Sequence, residues 1–197
     1  MTKKIFIAIL FYFSFIQNGL TYSSDPEIFI SEIVQEAKDV LVDNNSREFK
    51  TKKLSDLALK TVDIKMVANY SLGAYKKKLD EDQLKKYFIL FEKYFLKSFS
   101  SRLTDYSEPK IEVLSSKVLN PKYTIVNSLL LATDKKPEVK IDWRISTKNQ
   151  DKPLIVDLIV EGLSLARATK EEFYSVIESN NGDISKLFDT LQIFISK

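Results

Sequence analysis

The sequence predicts an α+β domain in which an antiparallel sheet is preceded and followed by helices. Apolar residues recur at helical spacing from Pro26 to Leu103, whereas from Lys110 their spacing changes to about two residues. Short polar connections such as residues 134–137 separate the apolar runs of this second part, which indicates strands that pair with their neighbours in the chain. We therefore expect a four-stranded antiparallel sheet, with helices packed against it.

Four helices are predicted in the first part of the chain. Asp25, Ser46 and Asp63 each precede an apolar helical pattern and are suitable N-caps. A longer helix is expected over about 80–103, where Asp80 and Gln83 resemble a capping box. One face of this helix carries a broad, mostly aromatic stripe of Leu84, Tyr87, Phe88, Phe91, Tyr94, Phe95 and Phe99.

Four strands and two helices are predicted in the rest of the chain. The strands cover about 111–118, 123–133, 138–146 and 154–161. Thr169 and Glu172 resemble a capping box for the next helix, and Asp183 is a suitable cap for the last one. No internal repeat or linker divides the chain after its first residues, so we expect one domain.

The composition excludes several kinds of chemistry. Among 197 residues there is no cysteine and no histidine, which excludes disulfides, a thiolate nucleophile, a Ser-His-Asp triad and the usual zinc sites. There are 13 Phe, 9 Tyr and 1 Trp, so the chain has ample apolar surface for a packed core. The net charge of +3 is small and argues against a nucleic-acid partner.

The first 23 residues have the layout of a cleaved signal peptide. Lys3 and Lys4 precede an apolar run over 5–16, and Thr21 and Ser23 fit a small-x-small cleavage pattern. A membrane anchor is the alternative, but the run is shorter than the roughly 20 residues that span a bilayer. We expect export to the periplasm and a mature domain of residues 24–197.

Three carboxylates in or beside apolar strands are the candidates for catalysis. Asp142, Asp157 or Glu161 in an apolar cleft could acquire a raised pKa and act as a base, as in an isomerase. The structural alternative is a solvent-facing or ion-paired carboxylate, with Arg144 and Arg167 as partners. The acidic residues lack the spacing of a metal-binding loop, so we expect no metal and no cofactor.

Two lysine-rich stretches, 50–53 and 76–78, allow two interpretations. Such stretches are usually solvated helix faces. Clustered lysines also bind anionic membrane surfaces, at about 1 kcal/mol per lysine. The second interpretation suits a protein that contacts a bilayer only transiently.

Several segments resemble the MlaC-type toluene-tolerance family. Residues 153–177 resemble its C-terminal signature, which contains the pattern D-x-x-x-E-G-x-S, and Trp143-Arg144 resembles its aromatic-Arg strand. Residues 63–75 resemble the family helix that contains a Leu-Gly pair. The signature and the turn after it are matched by Val156, Asp157, Glu161, Gly162, Ser164, Glu172, Phe173 and residues 181–184. The chain departs from the family in having Lys76 where many relatives have Arg, and an N-G-D turn.

The resemblance implies a periplasmic phospholipid carrier and not an enzyme. Members of this family carry lipids between an outer-membrane lipoprotein complex and an inner-membrane ABC transporter with an MCE-domain subunit, and so help to maintain outer-membrane lipid asymmetry. The implied fold is a curved, NTF2-like antiparallel sheet with helices over its concave face, enclosing an apolar cavity. Two alternatives stay open: an isomerase- or hydrolase-like enzyme with Asp157 or Glu161 as base, and an interaction protein that docks another chain on its aromatic stripe.

Strand alternation and helix spacing select the residues expected to line such a cavity. A one-residue slip in a strand would exchange the two faces of the sheet. The expected sheet residues are Leu129, Leu131, Val139, Ile141, Trp143 and Ile159. The helix residues expected to face them are Val67, Leu72, Tyr75, Phe91, Phe95, Leu163 and Ile177.

Overall fold

The order of helices, strands and helices expected from the sequence is confirmed in a computed structural model that describes residues 22–105, 109–134 and 136–197. Apart from its last two residues, the predicted signal peptide lies outside these described residues. The helices are α1 Pro26–Val42, α2 Arg47–Thr61, α3 Ile64–Leu72, a 3₁₀ helix Gly73–Lys78, α4 Glu81–Leu103, α5 Leu165–Glu178 and α6 Ser185–Ser196. The strands are β1 Ile111–Asn120, β2 Tyr123–Leu130, β3 Val139–Ser146, β4 Leu154–Val160 and β5 Leu163–Ser164.

The first four helices begin at the caps that the sequence predicts. The side chains of Asp25, Ser46 and Asp63 accept hydrogen bonds from backbone N–H groups of the following turn. Asp80 and Gln83 form a reciprocal capping box, with N–H to oxygen distances of 2.8 and 3.1 Å. These bonds satisfy donors that have no partner within the helix, so each cap fixes where its helix starts.

The prediction that α5 starts at Thr169 is wrong. The helix begins at Leu165, and Ser164 is its N-cap, accepting from the N–H of Arg167 at 3.1 Å. Thr169 lies one turn inside the helix, where its hydroxyl donates to the carbonyl of Leu165. A capping-box pattern within a helix resembles one at its start, so the pattern alone does not locate the first turn.

The sheet has five strands in the described chain, and not the expected four. Each strand pairs antiparallel with the next one, in the order β1-β2-β3-β4-β5. The fifth strand has only two residues. It exists because Glu161 and Gly162, at φ +49° and +80°, form a two-residue turn that brings Leu163 opposite Val160. Positive φ at both central residues is the pattern of the tight type I′ hairpin turn.

Strand pairing separates an apolar face of the sheet from a polar one. Directly opposed residues share a face, so the pairs Val126–Trp143 and Thr124–Ile145 belong to the face that packs against α1. A sheet cluster forms here, composed of Phe29, Ile30, Ile33, Leu57, Val126, Ile145 and Ile155. The opposite face carries Asn127, Asp142 and Arg144 and is the polar face.

A second, helical cluster holds helices α3 to α6 together. It contains Ile64, Val67, Ala68, Leu72, Tyr75, Tyr87, Phe91, Ala166, Phe173, Ile177, Leu187, Phe188 and Leu191. Val62 packs against both clusters, and α2 lies along α4 while its Leu57 belongs to the sheet cluster. Within the described residues, no helix has the length and apolar character that crossing a membrane requires.

Candidate functional site

The apolar face of the sheet continues beyond the sheet cluster as a band that we call the apolar stripe. Cross-strand pairing places Leu130 opposite Val139, Ile141 opposite Val160, and Trp143 opposite Leu158. Ile141 is 9% exposed, and the other five residues are half-buried. Three strands therefore present six adjacent apolar side chains that the protein covers only in part. The apolar stripe consists of Leu130, Val139, Ile141, Trp143, Leu158 and Val160.

Hydrogen bonds within the sheet satisfy the polar atoms beside the stripe. The indole Nε1 of Trp143 donates to Oγ of Ser128 at 2.9 Å. The Ser128 hydroxyl in turn donates to the carbonyl of Ile141, also at 2.9 Å. Since its single polar atom is engaged in this way, Trp143 presents an apolar ring to anything that contacts the stripe.

A row of phenylalanine rings on α4, which we call the aromatic row, extends from the helical cluster. The centroids of Phe91 and Phe95 are 6.3 Å apart with 17° between the rings, and those of Phe95 and Phe99 are 6.0 Å apart with 5°. Phe91 is 1% exposed, while Phe95 and Phe99 are half-buried. The row therefore begins in the core and ends at a partly accessible apolar surface.

Most of the helix residues expected to line a cavity are members of the helical cluster. Val67, Leu72, Tyr75, Phe91 and Ile177 are buried there, and Phe95 packs against them. Leu163 is different, because it lies in β5 and not in a helix, and the residue is 57% exposed. Tyr75 also contacts Tyr174 edge-on at 4.9 Å, which joins the 3₁₀ helix to α5.

The sheet residues expected to line a cavity do not share one face. Val139, Ile141 and Trp143 belong to the apolar stripe. Leu129 pairs with Lys140, and Ile159 pairs with Asp142, so both lie on the polar face. Leu131 lies just beyond β2, where its N–H donates to the carbonyl of Lys110. Alternation identified the period of these strands but not their pairing, and therefore did not select Leu130, Leu158 and Val160, which share a face with Ile141.

Two surface clefts lie away from the stripe. One, of about 460 Å³, is bordered by the 3₁₀ helix, the start of α4 and the start of α6. The other, of about 490 Å³, lies between the end of α2 and the loop before β4. None of the residues expected to line a cavity borders either cleft.

Asp157 is a buried carboxylate that connects β4 to the start of α5. Its side chain is 3% exposed and accepts from Oγ of Ser164 at 2.6 Å and from the N–H of Ala166 at 3.0 Å. Nη1 of Arg144 lies 3.3 Å from the same carboxylate, while Arg167 pairs with Glu171 instead. Of the two arginines considered from the sequence, Arg144 is thus the partner.

The other two carboxylates considered for catalysis are also engaged in hydrogen bonds. The exposed Glu161 exchanges two bonds with Lys140, donating its N–H to the carbonyl and accepting the backbone N–H on its side chain. Asp142 accepts from Nδ2 of Asn127 at 2.6 Å and lies 3.7 Å from Nζ of Lys140. In the part of the chain that the structure describes, no group of three acidic residues is arranged to hold a metal ion.

Three buried or partly buried tyrosines keep their protons. Burial raises the pKa of Tyr87 well above its usual range, and the hydroxyl donates to the carbonyl of Ala68 at 3.0 Å. Burial likewise raises the pKa of Tyr94. For Tyr22, burial and a hydrogen bond to Glu36 raise the pKa well above its usual range. These groups therefore act as neutral hydrogen-bond donors or apolar rings and not as bases.

The fold and these contacts define a class of protein. It is an α+β domain with one open antiparallel sheet, a partly covered apolar stripe, and candidate carboxylates that are engaged in structural hydrogen bonds. The chain belongs to the MlaC family, because the family model described as MlaC protein matches residues 31–193.

One solved structure shows the same fold. It is the phospholipid-binding protein from Ralstonia solanacearum, in complex with a phospholipid, and it matches with a TM-score of 0.73 at 16% sequence identity. The match covers 87% of this chain and 97% of that chain. A comparison with curated protein sequences finds no match.

Proposed function

We propose that this protein is a periplasmic phospholipid carrier that holds acyl tails against the apolar stripe and the aromatic row. The observation that carries the proposal is that a protein of the same fold from Ralstonia solanacearum contains a phospholipid. Membership of the MlaC family supports the same function. The site residues proposed for this chain are the six of the apolar stripe, together with Phe95 and Phe99.

The energetics of lipid transfer explain why such a surface is needed. Exposing an acyl chain to water costs about 0.8 kcal/mol per methylene, so two tails cost on the order of 20 kcal/mol. A carrier must replace the bilayer with a surface that excludes water from the tails. Half-buried apolar side chains on a sheet and on a helix supply such a surface, and no bond has to be formed or broken.

The catalytic alternative has less support from the geometry. Asp157 has little solvent exposure, and both of its oxygens accept hydrogen bonds from groups that fix the start of α5. Glu161 lies in the turn between β4 and β5 and exchanges hydrogen bonds with the backbone of Lys140 in β3. These contacts support structural roles for both carboxylates.

The cellular setting is part of the proposal. We infer that residues 1–23 direct export to the periplasm and are then removed. There the carrier exchanges lipid with an outer-membrane lipoprotein complex and with an inner-membrane ABC transporter that has an MCE-domain subunit. This exchange would help to maintain the asymmetry of outer-membrane lipids.

Mass spectrometry of purified protein tests the ligand directly. The chain is expressed with its N-terminal segment, recovered from the periplasmic fraction, purified in the folded state and extracted with organic solvent. We expect phospholipid in near-stoichiometric amount. An exported protein of similar size from the same cells, purified in parallel, controls for adventitious lipid. Folded protein that yields no more phospholipid than this control contradicts the proposal.

A further inference from the structure

One end of the sheet combines exposed apolar side chains with lysines, and we call it the turn end. It consists of residues 117–123 at the β1–β2 turn and residues 147–153 between β3 and β4. The two segments are neighbours, since the N–H of Thr147 donates to the carbonyl of Lys122 at 2.9 Å. Asn120 stabilises the first turn by accepting the N–H of Lys122 on its side chain, also at 2.9 Å.

The apolar part of the turn end lies on an edge strand. Val118 is 71% exposed and Leu119 is 47% exposed. Leu119 is the extra residue of a β-bulge, because Val118 pairs with Thr124 and Asn120 pairs with Tyr123. Edge strands of soluble proteins usually carry charged or polar residues at such exposed positions. Two adjacent apolar side chains here therefore indicate a surface that binds a partner.

The charge of the turn end is predominantly positive. Lys117, Lys122, Lys148 and Lys152 are all exposed, and Asp151 is the one carboxylate within the two segments. None of these four lysines has an ion-pair partner among the described residues. Nζ of Lys148 lies 5.4 Å from the centroid of the Tyr123 ring. The ammonium groups of Lys117, Lys122 and Lys152 are available to an anionic partner.

Four of the six lysines in the stretches 50–53 and 76–78 are engaged in contacts, among them Lys53, whose Nζ lies 5.6 Å from the centroid of the Phe49 ring. Nζ of Lys50 donates to the carbonyl of Leu41 at 2.7 Å, and Nζ of Lys76 donates to Oδ1 of Asn69 at 2.6 Å. Nζ of Lys78 lies 4.7 Å from the centroid of the Tyr75 ring. At the turn end, Lys117, Lys122 and Lys152 have neither an ion pair nor a ring contact among the described residues, and they lie in segments that also carry the exposed Val118 and Leu119.

We propose that the turn end is the surface by which the protein docks on an anionic phospholipid bilayer. Val118 and Leu119 enter the boundary between headgroups and acyl chains, and the lysines contact lipid phosphates. Exposed apolar side chains next to cations are the composition that binds an anionic membrane interface. A protein partner with a flat surface would leave Val118 and Leu119 exposed. This inference rests on the proposed carrier function and adds the surface that approaches the membrane.

Vesicle co-sedimentation of the full exported protein tests the docking surface. The vesicles contain phosphatidylglycerol and phosphatidylcholine in equal amounts, at low ionic strength, with pure phosphatidylcholine vesicles for comparison. The double substitution Lys117→Gln/Lys122→Gln is expected to weaken binding roughly 25-fold, at about fivefold per lysine. The double substitution Val118→Ser/Leu119→Ser is expected to weaken binding to the anionic vesicles roughly tenfold or more, because it removes the apolar area that enters the interface.

A matched control comes from the same strand. Leu114 is also an exposed bulge residue of β1, 57% accessible, but it lies away from the turn end. Leu114→Ser should therefore bind the anionic vesicles like the unaltered protein. Equal losses for Leu114→Ser and for the turn-end variants would overturn the proposal, as would unchanged binding by the turn-end variants.

The outcome can be separated from that of the carrier function. Each variant is also extracted and analysed for co-purified phospholipid, which should stay at the level of the unaltered protein. If the protein contains phospholipid but the turn-end substitutions leave its vesicle binding unchanged, only the proposed docking surface is refuted. Absence of co-purified lipid from the unaltered protein refutes the carrier function itself.

Discussion

A glutamate at position 130 should remove the bound lipid while the protein stays folded. Leu130 belongs to the apolar stripe and lies between Ile111 and Val139, its neighbours on the adjacent strands. A half-buried leucine that completes its burial against a lipid tail contributes about 1 kcal/mol. A carboxylate placed among acyl chains costs about 2.5 kcal/mol or more. Leu130→Glu should therefore weaken lipid retention by about 3.5 kcal/mol, or roughly 300-fold.

The adjacent residue provides the control. Leu129 is also half-buried in β2, but its side chain lies on the polar face between Glu112 and Lys140. A glutamate at position 129 would lie beside one charge of each sign and away from the stripe. Leu129→Glu should therefore lose little lipid, within about threefold of the unaltered protein.

The assay compares phospholipid per protein in organic extracts of both variants, after circular dichroism has shown that both are folded. Urea unfolding measures the stability of each, so that lost lipid is not confused with lost structure. Retention by Leu130→Glu together with loss by Leu129→Glu would show that the tails contact the opposite face. Full retention by both variants would show that the tails do not contact this end of β2.

Two further pairs of substitutions test the structural roles assigned to polar and glycine positions, and urea unfolding measures the stability of each variant. Asp157→Asn removes the charge of a buried carboxylate whose partner Arg144 is 40% exposed, and should cost about 2 kcal/mol while lipid is retained. Asp142→Asn, in a looser pair at 3.7 Å, should cost less than about 1 kcal/mol, and equal costs would contradict the assignment. Gly73→Ala should cost at least about 3 kcal/mol, because Gly73 has φ +52° and a Cβ there would collide with the hydroxyl of Tyr174. Gly162 also has a positive φ, +80°, but a Cβ there would meet open space. Gly162→Ala should therefore lower the free energy of unfolding by about 1 kcal/mol. A larger loss of stability for Gly162→Ala than for Gly73→Ala would refute the steric argument.

Much of the fold could be predicted because local signals decide it. Aspartate or serine before an apolar helical pattern identified four helix starts, since a cap is a contact between residues two or three positions apart. The change of period near Lys110 separated the sheet from the first helices. The fifth strand was missed, because two residues are too few to show a period and the pair Glu161-Gly162 indicated only an end to β4.

The composition of the site could not be predicted to the same degree, because it depends on pairing. β2 has apolar residues at both 129 and 130, so its sequence does not say which of them faces the core. Bulges change the register of β1 twice and that of β4 once, where Val156 is the extra residue. Each bulge interrupts the alternation, so the period cannot be extended along a whole strand. Leu129 and Leu130 lie on opposite faces, as do Ile159 and Val160, and the sequence alone does not decide between the two members of each pair.

The residues that carry the family resemblance and the residues proposed to hold the lipid are different sets, for a physical reason. Asp157, Glu161 and Gly162 form the turn that returns Ser164 to the Asp157 carboxylate and so starts α5 at a fixed place on the sheet. Each of these positions needs one particular chemical group, because a hydrogen bond or a positive φ depends on it. Acyl tails require only that apolar area be presented, which any aliphatic or aromatic side chain can do. A motif therefore identifies the scaffold of such a carrier, whereas its ligand surface has to be found from strand pairing.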